Sequence, residues 1–392
     1  MIVLDRKHHL IGATLLIAGT SIGVGMLALP VVTAAAGFIP SFFIYILAWL
    51  FMVATGLLVV EACLWCPKDA NLITISRKLL GEKGAAGCWV LYLFLFYCLM
   101  VAHTAIGGQA IDQLHLGLPS WFSSLLYVVL FAPAVYLGTR AVDRFNKVFI
   151  SGVILTFFLF IGVSLGRVNV NLLTHENWSL AWTALPVIMT AFGYQNLIPT
   201  LMTYMDRDYK RVRKAIILGT SIPLLLYLVW EFTILGNVPL QALLEAEKAG
   251  HNAIIPLQAA LGEGAFLSYV GQAFAFFAMT TSFIGMAIAF FDFWADGLKW
   301  PKKGMKRLGL CGLVFGIPIL IVWINPNIFL KAINLAGGLG VAILLGIYPV
   351  LFVWAGRYKH RFAHQHHLVK GGKITLSALF LFVLLVIYLS YF

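Results

Sequence analysis

The sequence predicts an all-α integral membrane protein. Three observations carry that expectation: an excess of apolar residues, apolar runs long enough to span a bilayer, and a one-sided placement of the basic residues between them. Of 392 residues, 61% are hydrophobic and 11% charged, against about half and a quarter in soluble domains. Apolar surface on that scale has no aqueous home, so lipid is its expected solvent.

A span needs about 20 apolar residues. Windows of that length give eleven transmembrane helices, at 10–35, 39–63, 86–111, 121–138, 147–166, 179–203, 215–236, 265–295, 308–324, 327–355 and 374–392. With the N-terminus cytoplasmic, Arg6 and Lys7 lie inside. So do Lys68, Arg77, Lys78 and Lys83 in the next cytoplasmic connection, and Arg140, Arg144 and Lys147 in the one after. Arg207, Lys210, Arg211, Arg213 and Lys214 follow, then Lys299, Lys302, Lys303, Lys306 and Arg307. Arg357, Lys359, Arg361, Lys370 and Lys373 complete the set, so of the 27 basic residues only Arg167, Lys248 and Lys331 face out. This asymmetry is the positive-inside rule. It explains the net charge of +12 without a nucleic-acid partner, supports an odd number of spans, and puts the C-terminus outside a bacterial cytoplasmic (inner) membrane.

Five scattered cysteines, Cys63, Cys66, Cys88, Cys98 and Cys311, imply no disulfide framework. The Cys63–Cys66 spacing falls at the end of an apolar run, where a redox role is not expected. The N-terminal run carries several glycines and a proline and is one of many alike, so it reads as a span and not as a signal peptide. No HExxH or GxSxG motif and no Cys/His ligand cluster falls in a span, so neither an enzyme nor a bound metal or cofactor is expected. The stretch His364-Gln365-His366-His367 reads as solvated basic loop. A channel or non-transporting receptor is the rival class.

Ionisable groups at membrane depth are costly and usually functional. Glu61, Asp112 and Asp292 fall at span ends, where structural roles are expected, whereas His103 and Glu231 lie deeper.

Two spans contain breaks. The first holds Gly19-Thr20-Ser21-Ile22-Gly23-Val24-Gly25 and then Pro30; the sixth holds Phe192-Gly193-Tyr194-Gln195-Asn196 between Pro186 and Pro199. Gly costs a helix interior about 1 kcal/mol and Pro about 3. In lipid an opened helix also strands backbone groups unless they line a cavity or bind something. Close packing through Gly19 and Gly23 would explain the glycines, but not the polar Thr20 and Ser21 or the second break. Matching breaks in two halves point to a transporter site. The stretches 71–82 and 252–263 align with Asn71, Leu80, Gly81 and Glu82 identical to Asn252, Leu261, Gly262 and Glu263. They follow the second and seventh spans and fall on opposite sides of the membrane, as an inverted five-plus-five repeat requires. The expected organisation is 1–170 as the first five-helix repeat, 171–356 as the second, inverted one, and 357–392 as a cytoplasmic loop and an eleventh helix.

GTSIGVGMLALP, FGYQNLIPTLMTYM and the TTSFIGMAIAFFDFWAD of residues 280–296 resemble the hydroxy and aromatic amino acid permeases, most closely the tyrosine- and tryptophan-specific members. Familiar members carry a Gly-Phe-His-Gly-like stretch where this chain has Gly193-Tyr194-Gln195-Asn196. The resemblance spans essentially the whole chain. It implies the amino acid–polyamine–organocation superfamily, the leucine-transporter fold with helices 1 and 6 broken, and alternating-access symport, usually of protons.

An amino acid zwitterion then sets the expected site. Its carboxylate needs donors, which the N–H groups around Gly23 and Gly25 and the hydroxyls of Thr20 and Ser21 can supply. Its ammonium needs carbonyls, freed near Gly19, Phe192 and Gly193. An aromatic side chain, most readily that of tyrosine, needs a pocket, for which Phe192 and Tyr194 are candidates, with Gln195, Asn196 or His103 meeting its polar tip. For coupling, His103 and then Glu231 suit a proton. Thr281 and Ser282, with carbonyls of Gly19, Ile22 and Ala278, resemble a sodium site of the wider fold. A monomer is the expected working unit.

Overall fold

The computed structural model describes residues 2–68, 70–114, 117–261, 266–362 and 367–391. Among these residues every regular element is helical. The chain begins with α1 (Ile2–Ser21) and α2 (Val24–Thr33), which meet at a bend of 54°. It continues through α3 (Phe38–Leu64), α4 (Leu72–Asp112), α5 (Ser120–Leu137) and α6 (Thr139–Ser164). Short turns then lead to α7 (Leu185–Ala191) and α8 (Ile198–Tyr204), followed by α9 (Tyr209–Asn237). α10 (Leu240–Ala249) and α11 (Ile254–Leu261) precede α12 (Phe266–Leu298). α13 (Gly304–Ile324), α14 (Phe329–Lys359) and α15 (Gly372–Leu389) close the chain.

Eight of these helices are long and apolar enough to cross a bilayer, and the bent pair α1–α2 makes a ninth. Leu137, Leu155, Phe158, Ile324 and Leu381 turn their side chains outward from the bundle. Such an apolar exterior suits lipid, since hydrocarbon lacks the water that polar groups would need.

The helices differ from the expected spans where amphipathic sequence extends them. α4 begins at Leu72 rather than near residue 86, capped by the Asn71 side chain, which accepts from Thr74 N at 2.9 Å. It turns sharply at Gly81, whose φ of +83° suits glycine. The sixth expected span is two seven-residue helices separated by a turn. α14 carries widened π turns over Ala336–Ile347, a feature common where a helix serves a site.

The basic connections gather at one end. Arg207 donates to the carbonyls of Cys63, Leu64 and Cys66 at 2.7–2.9 Å, covering the C-terminus of α3, and Thr203 donates to Lys68 O. Arg357 is paired with Glu61, and both are buried. At the opposite end Asn177 N donates to Ala36 O, Asn169 N to Gly236 O, and Trp323 to Trp121 O. These contacts join connections that the basic-residue pattern had placed on the same side. At the span ends, Asp112 accepts from Ser123 and Asp292 pairs with Lys302 at 2.6 Å. The five cysteines are free thiols. Residues 364–366 of the histidine-rich stretch, and Gly262 and Glu263 of the repeated fragment, lie outside the described residues.

Candidate substrate site

The break between α1 and α2 meets the turn between α7 and α8. α1 ends at Ser21 and the chain runs extended through Gly23 before α2 starts at Val24. The first N–H groups of α2 have no carbonyl one turn back to accept them, which makes this terminus a donor site with positive potential. Gly25 lies against the last residue of α7: a Cβ there would sit 3.1 Å from Ala191 Cα. Gly23 lies against α12, where a Cβ would sit 2.7 Å from Ser282 Oγ. A Cβ at Gly23 would force Ser282 to shift, and one at Gly25 would press on the backbone of α7.

A cavity of about 100 Å³ opens at this junction. Its polar lining is Thr20, Ser21, His103, Thr190, Asn196 and Ser282, with backbone from Gly23, Val24, Gly25, Ala191 and Gly193. Its apolar wall is Tyr92, Leu95, Phe96 and Leu99 of α4, Met286 of α12, and Val341 and Leu345 of α14. Phe96 stacks on Phe290 at 5.0 Å between centroids, which holds that wall in place.

Hydrogen bonds orient most of these polar groups. Thr20 and Ser21 donate to Ile17 O, at 2.8 and 3.3 Å. The buried His103 sets its Nδ1 2.7 Å from Leu99 O and its Nε2 2.9 Å from Ser282 Oγ. The Leu99 carbonyl can only accept, so Nδ1 carries a proton. Nε2 then accepts from Ser282 in the neutral ring or donates to it in the cation.

Seven of the ten residues expected in the site line this cavity: Thr20, Ser21, Gly23, Gly25, His103, Gly193 and Asn196. Phe192, Tyr194 and Gln195 lie behind it. Phe192 packs edge-on against Tyr227 at 5.2 Å. Tyr194 donates to Met52 O at 3.1 Å. Gln195 donates to Thr55 Oγ1 at 3.0 Å and accepts from Tyr194 N at 3.1 Å. These bonds pin the second break to α3, because buried amides and hydroxyls take the partners within reach.

Among the ion-site candidates, Thr281 donates to Ala278 O at 3.0 Å within its own helix, while Ser282 faces His103. Gly19 and Ile22 are on the α1 side of the break, outside the cavity lining. Glu231 is fully buried on α9 and bonds to Thr33 and Tyr45, away from the cavity.

The sequence reading missed Tyr92, Leu95, Phe96 and Leu99, although with His103 they form one helical stripe. It also missed Tyr227, whose hydroxyl reaches Ser21 O at the first break and Ala191 O, 2.9 Å away, at the second.

The family model described as "Tryptophan/tyrosine permease family" matches residues 6–390. The chain belongs to that family. It is 33% identical to the tryptophan-specific transport protein of Haemophilus influenzae over 97% of this chain and 95% of that one. It is 30% identical to tyrosine-specific transport system 1 of the same organism, covering 93% and 92%. The crystal structure of MhsT in complex with L-phenylalanine superposes with a TM-score of 0.65, covering 97% of each chain at 13% identity. At that identity the likeness shows a shared fold and nothing of the substrate. Membership makes the chain a multi-pass member of a family of amino acid transport proteins.

Proposed function

We propose that the protein is a secondary active transporter that imports an aromatic amino acid, tyrosine or tryptophan, by proton symport with alternating access. The observation that carries this reading is the cavity where two opened helices meet. It unites free backbone N–H groups, hydroxyls and an aromatic wall in one buried place.

In this reading the α-carboxylate sits at the start of α2, on the N–H groups of Val24 and Gly25, with the Thr20 and Ser21 hydroxyls beside it. The ammonium faces carbonyls of the α7 end. The ring lies against Tyr92, Phe96 and Met286, where an aromatic pair adds about 0.5–1.5 kcal/mol beyond burial. His103, Ser282 and Asn196 offer partners for a phenol or an indole N–H, and leaving such a donor unpaired would cost about 1–3 kcal/mol. Pockets for small ligands hold at least about 300 Å³, more than the cavity's about 100 Å³. The helices around the breaks therefore part to admit a ring, as alternating access requires.

The same reading counts eleven spans: the nine above, α5, and the α7–α8 pair as a second broken helix. The basic end is cytoplasmic, so the N-terminus lies inside and the C-terminus outside the bacterial inner membrane. The inverted repeat, 1–170 and 171–356 with the segment 357–392 added, is supported by an Asn side chain that accepts from a backbone N–H at each of two corresponding helix starts. Asn71 accepts from Thr74 N ahead of α4, and Asn252 accepts from Ile254 N at the start of α11. A proton suits the protein because two titratable side chains, His103 in the cavity wall and Glu231 behind it, are buried. A monomer holds all these parts.

Uptake of labelled tyrosine into liposomes with an inward proton gradient, with and without sodium, tests this. Proton-driven, sodium-independent uptake, suppressed by unlabelled tyrosine or tryptophan, is expected. Uptake that requires sodium would overturn the proton assignment, and flux that never saturates would indicate a channel.

A further inference from the structure

The geometry points to Glu231 as the group that carries the coupling proton, acting on the cavity from outside it through α2 and Tyr227. This assignment rests on the transport reading above and goes beyond it by naming the residue and the route.

Glu231 is wholly buried six residues before the end of α9. Its Oε1 accepts from Thr33 Oγ1 in the last turn of α2, and its Oε2 accepts from Tyr45 Oη of α3 at 3.1 Å. Both partners are neutral. Among the described residues, no charged partner of Glu231 is found on the elements that pack most closely against α9. α2, α11 and the turn Val170–Leu173 carry no titratable side chain. Besides Tyr45, the nearest titratable residue on α9 is Tyr227, one turn away. The turn Leu165–Arg167 ends in Arg167, whose side chain is exposed. His9 on α1 and Arg144 and Lys147 on α6 lie at the opposite end of those helices, as do Glu61 on α3 and Tyr204 on α8.

The hydrogen bonds around Glu231 close in both of its states. The Thr33 hydroxyl has two acceptors in reach, Glu231 Oε1 and Leu29 O, the latter at 2.7 Å. With Glu231 ionised, Thr33 donates to it. With a proton bonded to Oε1, the carboxyl donates to Thr33 Oγ1, and Thr33 turns its own hydrogen to Leu29 O. Tyr45 donates to Oε2 throughout. A buried carboxylate facing only neutral donors carries an uncompensated charge, so gain of a proton from the outer water and its later loss to the inner water bias how α2, α3 and α9 pack.

The route to the substrate is short. Thr33 ends the helix whose first N–H groups line the cavity. Tyr227 has one hydroxyl hydrogen and two carbonyls to satisfy, Ser21 O and Ala191 O, one at each break. Its ring lies 6.4 Å from that of Tyr45. A shift of α9 against α2 and α3 moves Tyr227 between these carbonyls and so changes how the two breaks are held together.

The test uses the full chain in liposomes, with labelled tyrosine as probe, in wild type, Glu231→Gln and Thr33→Val. Two fluxes are read: counterflow against unlabelled tyrosine, and uphill accumulation driven by an inward proton gradient. Glu231→Gln is expected to keep counterflow and to fall to the empty-liposome level in accumulation. Full accumulation by Glu231→Gln overturns the assignment and leaves the transport reading intact. Absence of counterflow in wild type with tyrosine and also with tryptophan overturns the transport reading itself. Thr33→Val gives an independent check through tyrosine binding to purified protein as a function of pH. Loss of its donor to the ionised carboxyl is expected to move the pH midpoint upward, and an unmoved midpoint contradicts the proposal.

Discussion

At the basic end of the bundle Glu61 faces a guanidinium, while at the other end Glu231 faces only hydroxyls. Glu61 takes Arg357 Nε and a second guanidinium nitrogen at 2.6 and 2.7 Å, and Leu368 N at 3.1 Å. Arg357 also donates to Val369 O, so the pair ties α3 to α14 and to the connection before α15. Both are carboxyls buried to 1% exposure or less. A carboxylate held by a bidentate cation acts as a brace. A carboxylate with two neutral donors has two charge states of comparable satisfaction, and can act as a switch. Burial alone does not distinguish a structural acid from a working one; the partners do.

The largest expected effect comes from breaking the brace. Arg357→Met leaves Glu61 buried without its cation, at a cost of about 3–5 kcal/mol. Thermal unfolding in detergent should show a large loss of Tm, partly restored in Glu61→Gln/Arg357→Met. Glu231→Gln should show no such loss, and an equal loss in both would erase the distinction drawn here. Next, Gly23→Ala forces a Cβ within 2.7 Å of Ser282 Oγ. Overpacking of that kind costs about 1–3 kcal/mol. It should appear as weaker tyrosine binding, because α2 and α12 are pushed apart at the site. Tyr227→Phe removes one hydroxyl that serves two carbonyls, about 0.5–1.5 kcal/mol by stability. Its effect on transport rate should exceed its effect on Tm, and a variant with normal flux would detach Tyr227 from the coupling route. Thr20→Val should weaken tyrosine binding severalfold without loss of folded protein, and unchanged affinity would remove Thr20 from the site.

The smallest effect concerns His251, which lies outside the spans beside α10 and lines a second cavity with Gln109, Asp112 and Asn327. Burial holds its imidazole below the usual histidine range. The folded state then binds this proton less readily than the unfolded one. Stability is full above the unfolded pKa of about 6.5 and declines as pH falls through that value toward the lower folded pKa. His251→Gln should flatten this acid-side slope of Tm, and an identical slope would refute the attribution.

The two breaks were legible in the sequence because Gly, Pro and polar residues are expensive in a lipid-embedded helix. That the connections rich in Lys and Arg gather at one end of the bundle was legible from those residues alone. The apolar wall was not. Tyr92 and Phe96 face the cavity, while Val90 on the same helix faces outward, and composition treats lipid-facing and cavity-facing residues alike. Val341 and Leu345 were hidden for the same reason, although the glycine-rich Gly337-Gly338-Leu339-Gly340 beside them marks close packing. Gln195 and Tyr194 sat in the right segment, but whether a residue of a break faces the cavity or the helix behind it depends on the local backbone turn, which spacing does not specify.

The most direct test of the account is equilibrium binding of labelled tyrosine and tryptophan to purified wild type and to Val341→Phe, which fills the cavity from α14. The account predicts saturable binding of at least one of the two in wild type and its loss in the variant, at a Tm close to that of wild type. Unchanged affinity in a folded Val341→Phe protein would place the substrate elsewhere and contradict it.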